Sequence, residues 1–139
     1  MKITKEWLKE KSACRDGVDW FLAQKETDAV KVLEKLISKE KLDWANWTLV
    51  RVMSYKQFVS YAVFAAEQVI DIYEKKYPDD KRPREAIEAA KKCIKNPSQK
   101  NKDAAYAADV AYAADVAYAA DAEMKLKILQ YGIKLLTAR

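Results

Sequence analysis

The chain has 139 residues, half of them hydrophobic, and its 26 basic against 21 acidic residues give a formal charge of +5. It contains no histidine and only two glycines, Gly17 and Gly132. Without histidine the commonest general base, the Ser-His and Cys-His nucleophile pairs and most zinc sites are excluded. Two glycines cannot form a phosphate-cradling loop, and they leave few tight turns for a strand-and-hairpin fold. This length predicts a single domain over residues 1–139, with enough apolar content for one core.

Apolar spacing and helix punctuation divide the chain into about seven helices. Thr4 is the expected cap of a short helix carrying Trp7 and Leu8. Ser12 is the expected cap of a second, in which Cys14, Val18, Phe21 and Leu22 recur at helical spacing. Gly17 inside it costs about 1 kcal/mol against alanine unless a neighbour packs closely. Thr27 begins the third, with Val30, Leu33, Leu36 and Ile37 on one face. The stretch 42–53 is again helical, carrying Trp44, Trp47, Val50 and Met53. Ser54 followed by Gln57 fits the capping box, and the helix it opens runs to about Tyr77, where Pro78 stops it. A charged loop, 79–82, leads to Pro83 at the first position of a helix that places Ala86, Ile87, Ala90 and Ile94 inward. Asn96-Pro97-Ser98 is a break, and a last helical region runs from about Gln99 towards Leu136, with a bend near Asp121 or Gly132 left open. No run alternates in the manner of a strand, so the expected fold is an all-α multi-helix bundle with a long alanine-rich C-terminal helical region.

The basic excess is local. Residues 75–102 carry ten basic side chains against Asp79, Asp80, Glu85 and Glu88, whereas residues 103–121 carry four aspartates and no cation. A lysine-rich solvated face explains such a stretch; an anion or nucleic-acid site at Lys81, Arg82 and Arg84, beside the helix start at Pro83, is the sharper reading. Cys14 and Cys93 form no metal-ligand spacing and no disulfide framework, which favours reduced thiols in a cytoplasmic protein. No cofactor, metal site, signal peptide or membrane span is expected.

Residues 104–121 are three copies of a hexad, AAYAAD-VAYAAD-VAYAAD. Six residues at about 100° each rotate a helix by about 240°, so Tyr106, Tyr112 and Tyr118 point in three directions about 120° apart. Asp109, Asp115 and Asp121 fall between them. Such a helix has neither a coiled-coil seam nor an apolar stripe. Two readings stand. In one the helix is semi-buried, and its aspartates meet Arg51, Arg82 or Arg84. In the other a Tyr/Asp face is exposed and binds a partner, as tyrosine often does at interface hot spots.

Several segments together resemble a known family. Residues 13–21, Ala13-Cys14-Arg15-Asp16-Gly17-Val18-Asp19-Trp20-Phe21, are similar to the ACxxGxxWF opening of the immunity proteins of polymorphic toxin systems, which have phage-encoded relatives. Asp43-Trp44-Ala45-Asn46-Trp47-Thr48-Leu49 resembles the DWxxWLL segment that follows there, and residues 80–90 resemble DxRPRxAIEAA. The alanine-rich repeat completes a resemblance over about residues 13–122. It implies an all-helical protein without catalysis that inhibits a toxin or defence protein. The repeat differs from that pattern in bearing Asp where relatives carry more Arg.

Enzymatic function is the weakest class from the residues themselves. The pairs Asp79/Asp80 and Asp16/Asp19 sit where helix-start or surface charges belong, and Cys14 has no evident activating base. The expectation is a non-catalytic protein-binding inhibitor of the immunity type, acting by steric occlusion. The alternatives are a phage anti-defence protein of anti-CRISPR-like kind, a nucleic-acid or nucleotide-binding module using residues 75–102, and a structural homo-oligomer. A protein is the expected partner, and no membrane is.

Overall fold

A computed structural model describes residues 1–95 and 122–138. Seven helices account for most of them: α1 (Lys5–Glu10), α2 (Arg15–Gln24), α3 (Ala29–Ser38), α4 (Leu42–Val52), α5 (Tyr55–Lys76), α6 (Arg82–Lys95) and α7 (Ala122–Thr137). The fold is all-α; among the described residues the only extended pairing is an isolated antiparallel bridge between Lys2 and Asp28. The hexads and the Asn96-Pro97-Ser98 break lie outside the described residues.

Side chains satisfy the first N–H groups of most helices. Thr4 accepts from the Trp7 N–H at 3.1 Å. Ser54 and Gln57 form the reciprocal capping box, the Gln57 N–H reaching the Ser54 hydroxyl at 3.2 Å and the Ser54 N–H reaching Gln57 Oε1 at 2.9 Å. Two expected caps are displaced. Cys14, not Ser12, opens α2, its Sγ accepting from the Gly17 N–H at 3.4 Å. Asp28, not Thr27, opens α3, accepting from the Lys31 N–H at 3.1 Å. The Thr27 carbonyl instead accepts the Ile3 N–H, which fastens the N-terminal segment.

Ser12 is needed elsewhere. Its φ of 61° is left-handed, and the Ser12 and Ala13 N–H groups bond the Lys9 and Leu8 carbonyls, which closes α1 in a Schellman motif. Glu40, at φ 59°, does the same for α3, its own N–H and that of Lys41 reaching the Ile37 and Leu36 carbonyls. Lys25 ends α2 at φ 56°. With glycine so scarce, ordinary residues occupy the left-handed positions that glycine usually takes.

The larger core cluster joins α1 to α4, the face of α5 carrying Tyr61, Phe64 and Ala65, and α7, with Ile3, Leu33, Leu49, Ile128 and Leu129 fully buried. The second joins another face of α5 to α6 through Val59, Val63, Ile70, Ala86, Ile87 and Ala90. The inward face of α6 is the expected one, although α6 begins at Arg82 and Pro83 is its second residue. The face of α3 is Ala29, Val32, Leu33 and Leu36, with Val30 half-buried at its margin. Leu22, placed inward by its spacing, is exposed.

α7 runs unbroken through Gly132 and packs on α3, α4 and α5. Gly132 is buried where α7 meets α4 and α5. A Cβ there would overlap Leu49 Cδ2 and lie 2.7 Å from Tyr61 Cε1. Stacking of Phe64 on Tyr131, with ring centroids 3.9 Å apart, and a bond from Lys125 Nζ to Asp43 Oδ1 at 3.2 Å flank this crossing.

Candidate functional site

The Schellman end of α1 delivers Ala13 and Cys14 to the start of α2, and α2 then presents Gly17, Trp20 and Phe21 towards α4. The facing residues of α4 are Asp43, Trp44, Trp47 and Thr48, spaced one turn apart. Between the two helices lies a cleft of about 360 Å³, floored by Ile3, Leu8, Val32 and Leu36. That volume is within the range of small-ligand sites.

Its tryptophans are held in fixed positions. Trp20 and Trp44 meet edge to face with centroids 6.4 Å apart, as do Trp47 and Trp7 at the same distance. Lys41 Nζ lies 4.5 Å from the centroid of Trp44. The Arg51 guanidinium lies 4.0 Å from that of Trp47 and donates to the Trp47 carbonyl at 2.9 Å. Neither cation lines the cleft. Thr48, the buried polar residue of α4, donates its hydroxyl to the Trp44 carbonyl at 2.9 Å. The Cys14 thiol is free and exposed at the edge of the cleft.

A second polar cluster locks the turn between α5 and α6. Asp80 accepts from the Tyr73 hydroxyl at 2.6 Å, from Arg82 Nε at 2.9 Å and Nη2 at 2.8 Å, and from the Arg82 N–H at 3.1 Å. These donors, the Arg82 guanidinium first, hold the Asp80 carboxyl well below the usual carboxylate range. The same contacts raise the Tyr73 phenol, chiefly through its bond to Asp80, and the Arg82 guanidinium. Arg84 forks onto Glu74, its Nε at 3.2 Å, and lies 3.7 Å from Asp71. The hydrogen bonds from Arg84 hold Glu74 below its ordinary value. Lys91 adds a bridge to Glu67 at 3.1 Å.

The structure therefore places the singled-out cations as follows. Arg82 and Arg84 are engaged by Asp80, Glu74 and Asp71, and Lys81 is exposed beside them. Arg51 lies against Trp47. Tyr106, Asp109, Tyr112, Asp115, Tyr118 and Asp121 lie outside the described residues. The cleft was not among the sequence-derived sites, yet its signal was present: Ala13, Cys14, Gly17, Trp20 and Phe21 of the first resembling segment and Asp43, Trp44 and Trp47 of the second all line it. Among the described residues, no group of three or more Cys, Asp or Glu could hold a metal ion, and no helix is long and apolar enough to cross a membrane.

An all-helical chain whose α5–α6 seam carries the DxRPRxAIEAA-like segment is thus defined. The model of the Imm-5 like putative immunity protein family matches residues 48–117, half of the chain, and the chain belongs to that family. The model of the YdhT N-terminal domain matches residues 1–58. The immunity match thus covers the end of α4, α5, α6 and most of the hexads, while the cleft and the segment at 13–21 fall in the stretch similar to the YdhT domain. No curated protein and no solved structure matches the chain.

Proposed function

We propose that this chain is a non-catalytic, stoichiometric inhibitor that neutralises a toxin by binding it and covering its active or nucleic-acid-binding surface. Membership of the immunity family carries this reading. The partner is a protein, met through the hexads, with Tyr106, Tyr112 and Tyr118 as aromatic anchors and Asp109, Asp115 and Asp121 supplying charge complementarity. A nucleic-acid role for residues 75–102 is disfavoured because Arg82 and Arg84 already have carboxylate partners. The test is co-expression with the toxin candidate encoded beside this chain's gene. The expected result is restored growth and a stable complex, both lost in a Tyr112→Ala, Asp115→Ala double variant that melts at an unchanged temperature. Unrelieved toxicity with no complex refutes the reading.

A further inference from the structure

The described residues that line the cleft between α2 and α4 all precede the stretch matched by the immunity family, save Thr48 at its first position. Its linings combine four aromatic side chains, Trp20, Phe21, Trp44 and Trp47, with an aliphatic floor. Such walls favour a flat aromatic guest, because edge-to-face and offset contacts add to area burial. The charge pattern narrows the choice. In a chain with 26 basic residues, no Lys or Arg is among the described residues lining the cleft, and the one acidic residue among them is Asp43. A phosphate or carboxylate guest would lose water there without gaining a counter-charge. Asp43 holds Lys125 through Oδ1, and with a side chain 79% exposed it retains acceptor capacity for a second cation. Because Thr48 has committed its hydroxyl hydrogen to the Trp44 carbonyl, it offers a guest only lone pairs. At Thr48 and Asp43, then, a guest is met by acceptors.

We propose that this cleft is a binding site for an aryl-alkyl ammonium, a small molecule with a flat aromatic body in the tryptophan-walled space and a single positive charge on Asp43. Cys14 at its edge serves as a reporter, since a guest shields the thiol.

The full chain is titrated with tryptamine, indole and indole-3-acetate, following tryptophan emission and, by peptide mass spectrometry, alkylation of Cys14 by iodoacetamide. Tryptamine should bind saturably and slow Cys14 alkylation, indole should bind more weakly, and indole-3-acetate weakest. Asp43→Asn should weaken tryptamine about two- to fivefold and leave indole unchanged, as expected for loss of one solvent-exposed charge contact. Its melting temperature, expected to match the wild type because the Lys125 pair is solvent-exposed on the Asp43 side, is the control for folding. Prior reaction of Cys14 with N-phenylmaleimide should obstruct the cleft and abolish the tryptamine response. The proposal is overturned by absence of saturable tryptamine binding, by indole-3-acetate binding as tightly, by an unchanged tryptamine affinity in Asp43→Asn, or by binding that survives the maleimide.

Discussion

The two glycines of this chain both sit inside helices, yet they meet opposite surroundings. A Cβ at Gly17 would lie 3.4 Å from Cys14 Sγ, an ordinary contact, while one at Gly132 would run into Leu49 and the Tyr61 ring. Gly17→Ala should therefore stabilise the fold by about 0.5–1 kcal/mol through helix propensity alone. Gly132→Ala should destabilise it by about 1–3 kcal/mol, because overpacking forces side chains from their rotamers. Urea unfolding of both variants measures the difference, and equal effects would contradict the crossing described for α7. The sequence places Gly17 inside a helix and leaves a bend at Gly132 open, and only three-dimensional packing separates the dispensable glycine from the one that lets helices touch. The same limit applies to the tryptophans: their helical spacing was readable, and their pairing as Trp20–Trp44 and Trp7–Trp47 was not.

Helix starts were more legible than helix ends. Ser54-x-x-Gln57 declares itself because both partners of the capping box lie in one short stretch. Ser12 misleads because serine is a common N-cap, whereas here it closes α1 and leaves Cys14 to open α2. Thr27 was passed over because the neighbouring Asp28, a stronger cap type, takes the role. The Schellman ends were hidden for a physical reason. Their usual marker is glycine, and at Ser12 and Glu40 the local backbone hydrogen bonds close around a side-chain-bearing residue in left-handed geometry. Glu40→Gly should relieve that conformation and raise stability by about 0.5–1 kcal/mol, read as a shift of the denaturation midpoint at constant slope. A loss of stability would show that the Glu40 side chain contributes more than its backbone costs.

Over the molecule as a whole, helix content and the buried stripes of α5 and α6 followed from periodicity, since each is a property of one segment. The cleft did not, because four separate helices and the N-terminal segment build it and no single stretch contains its outline. The division into two apolar clusters also separates their response to acid. The carboxylates held below their ordinary range, Asp80 and Glu74, belong to the α5–α6 seam. A lowered folded-state pKa contributes stability above the unfolded value, about 4, and that contribution disappears as pH falls from there towards the lowered value. Cooling of this effect by salt is expected, because Arg82 is 86% exposed. Asp80→Asn should therefore melt below the wild type at pH 7, by a gap that narrows steadily as pH falls below about 4 and that added salt also reduces. In the wild type, α6 amides should gain hydrogen exchange on acidification before those of α3 and α4. A gap that stays constant with pH would remove Asp80 from the account.

The position of α7 also bears on how the chain acquires its structure during synthesis. Its bonds to α4 and α5 span 82 residues from Lys125 to Asp43 and 78 from Leu135 to Gln57. At roughly 5–20 residues per second, a ribosome takes on the order of ten seconds to pass from those partners to α7. During that interval Leu49 and Tyr61 lack the surface that finally covers them, and closing so long a loop is entropically slow. The larger core is thus completed only once α7 has left the exit tunnel.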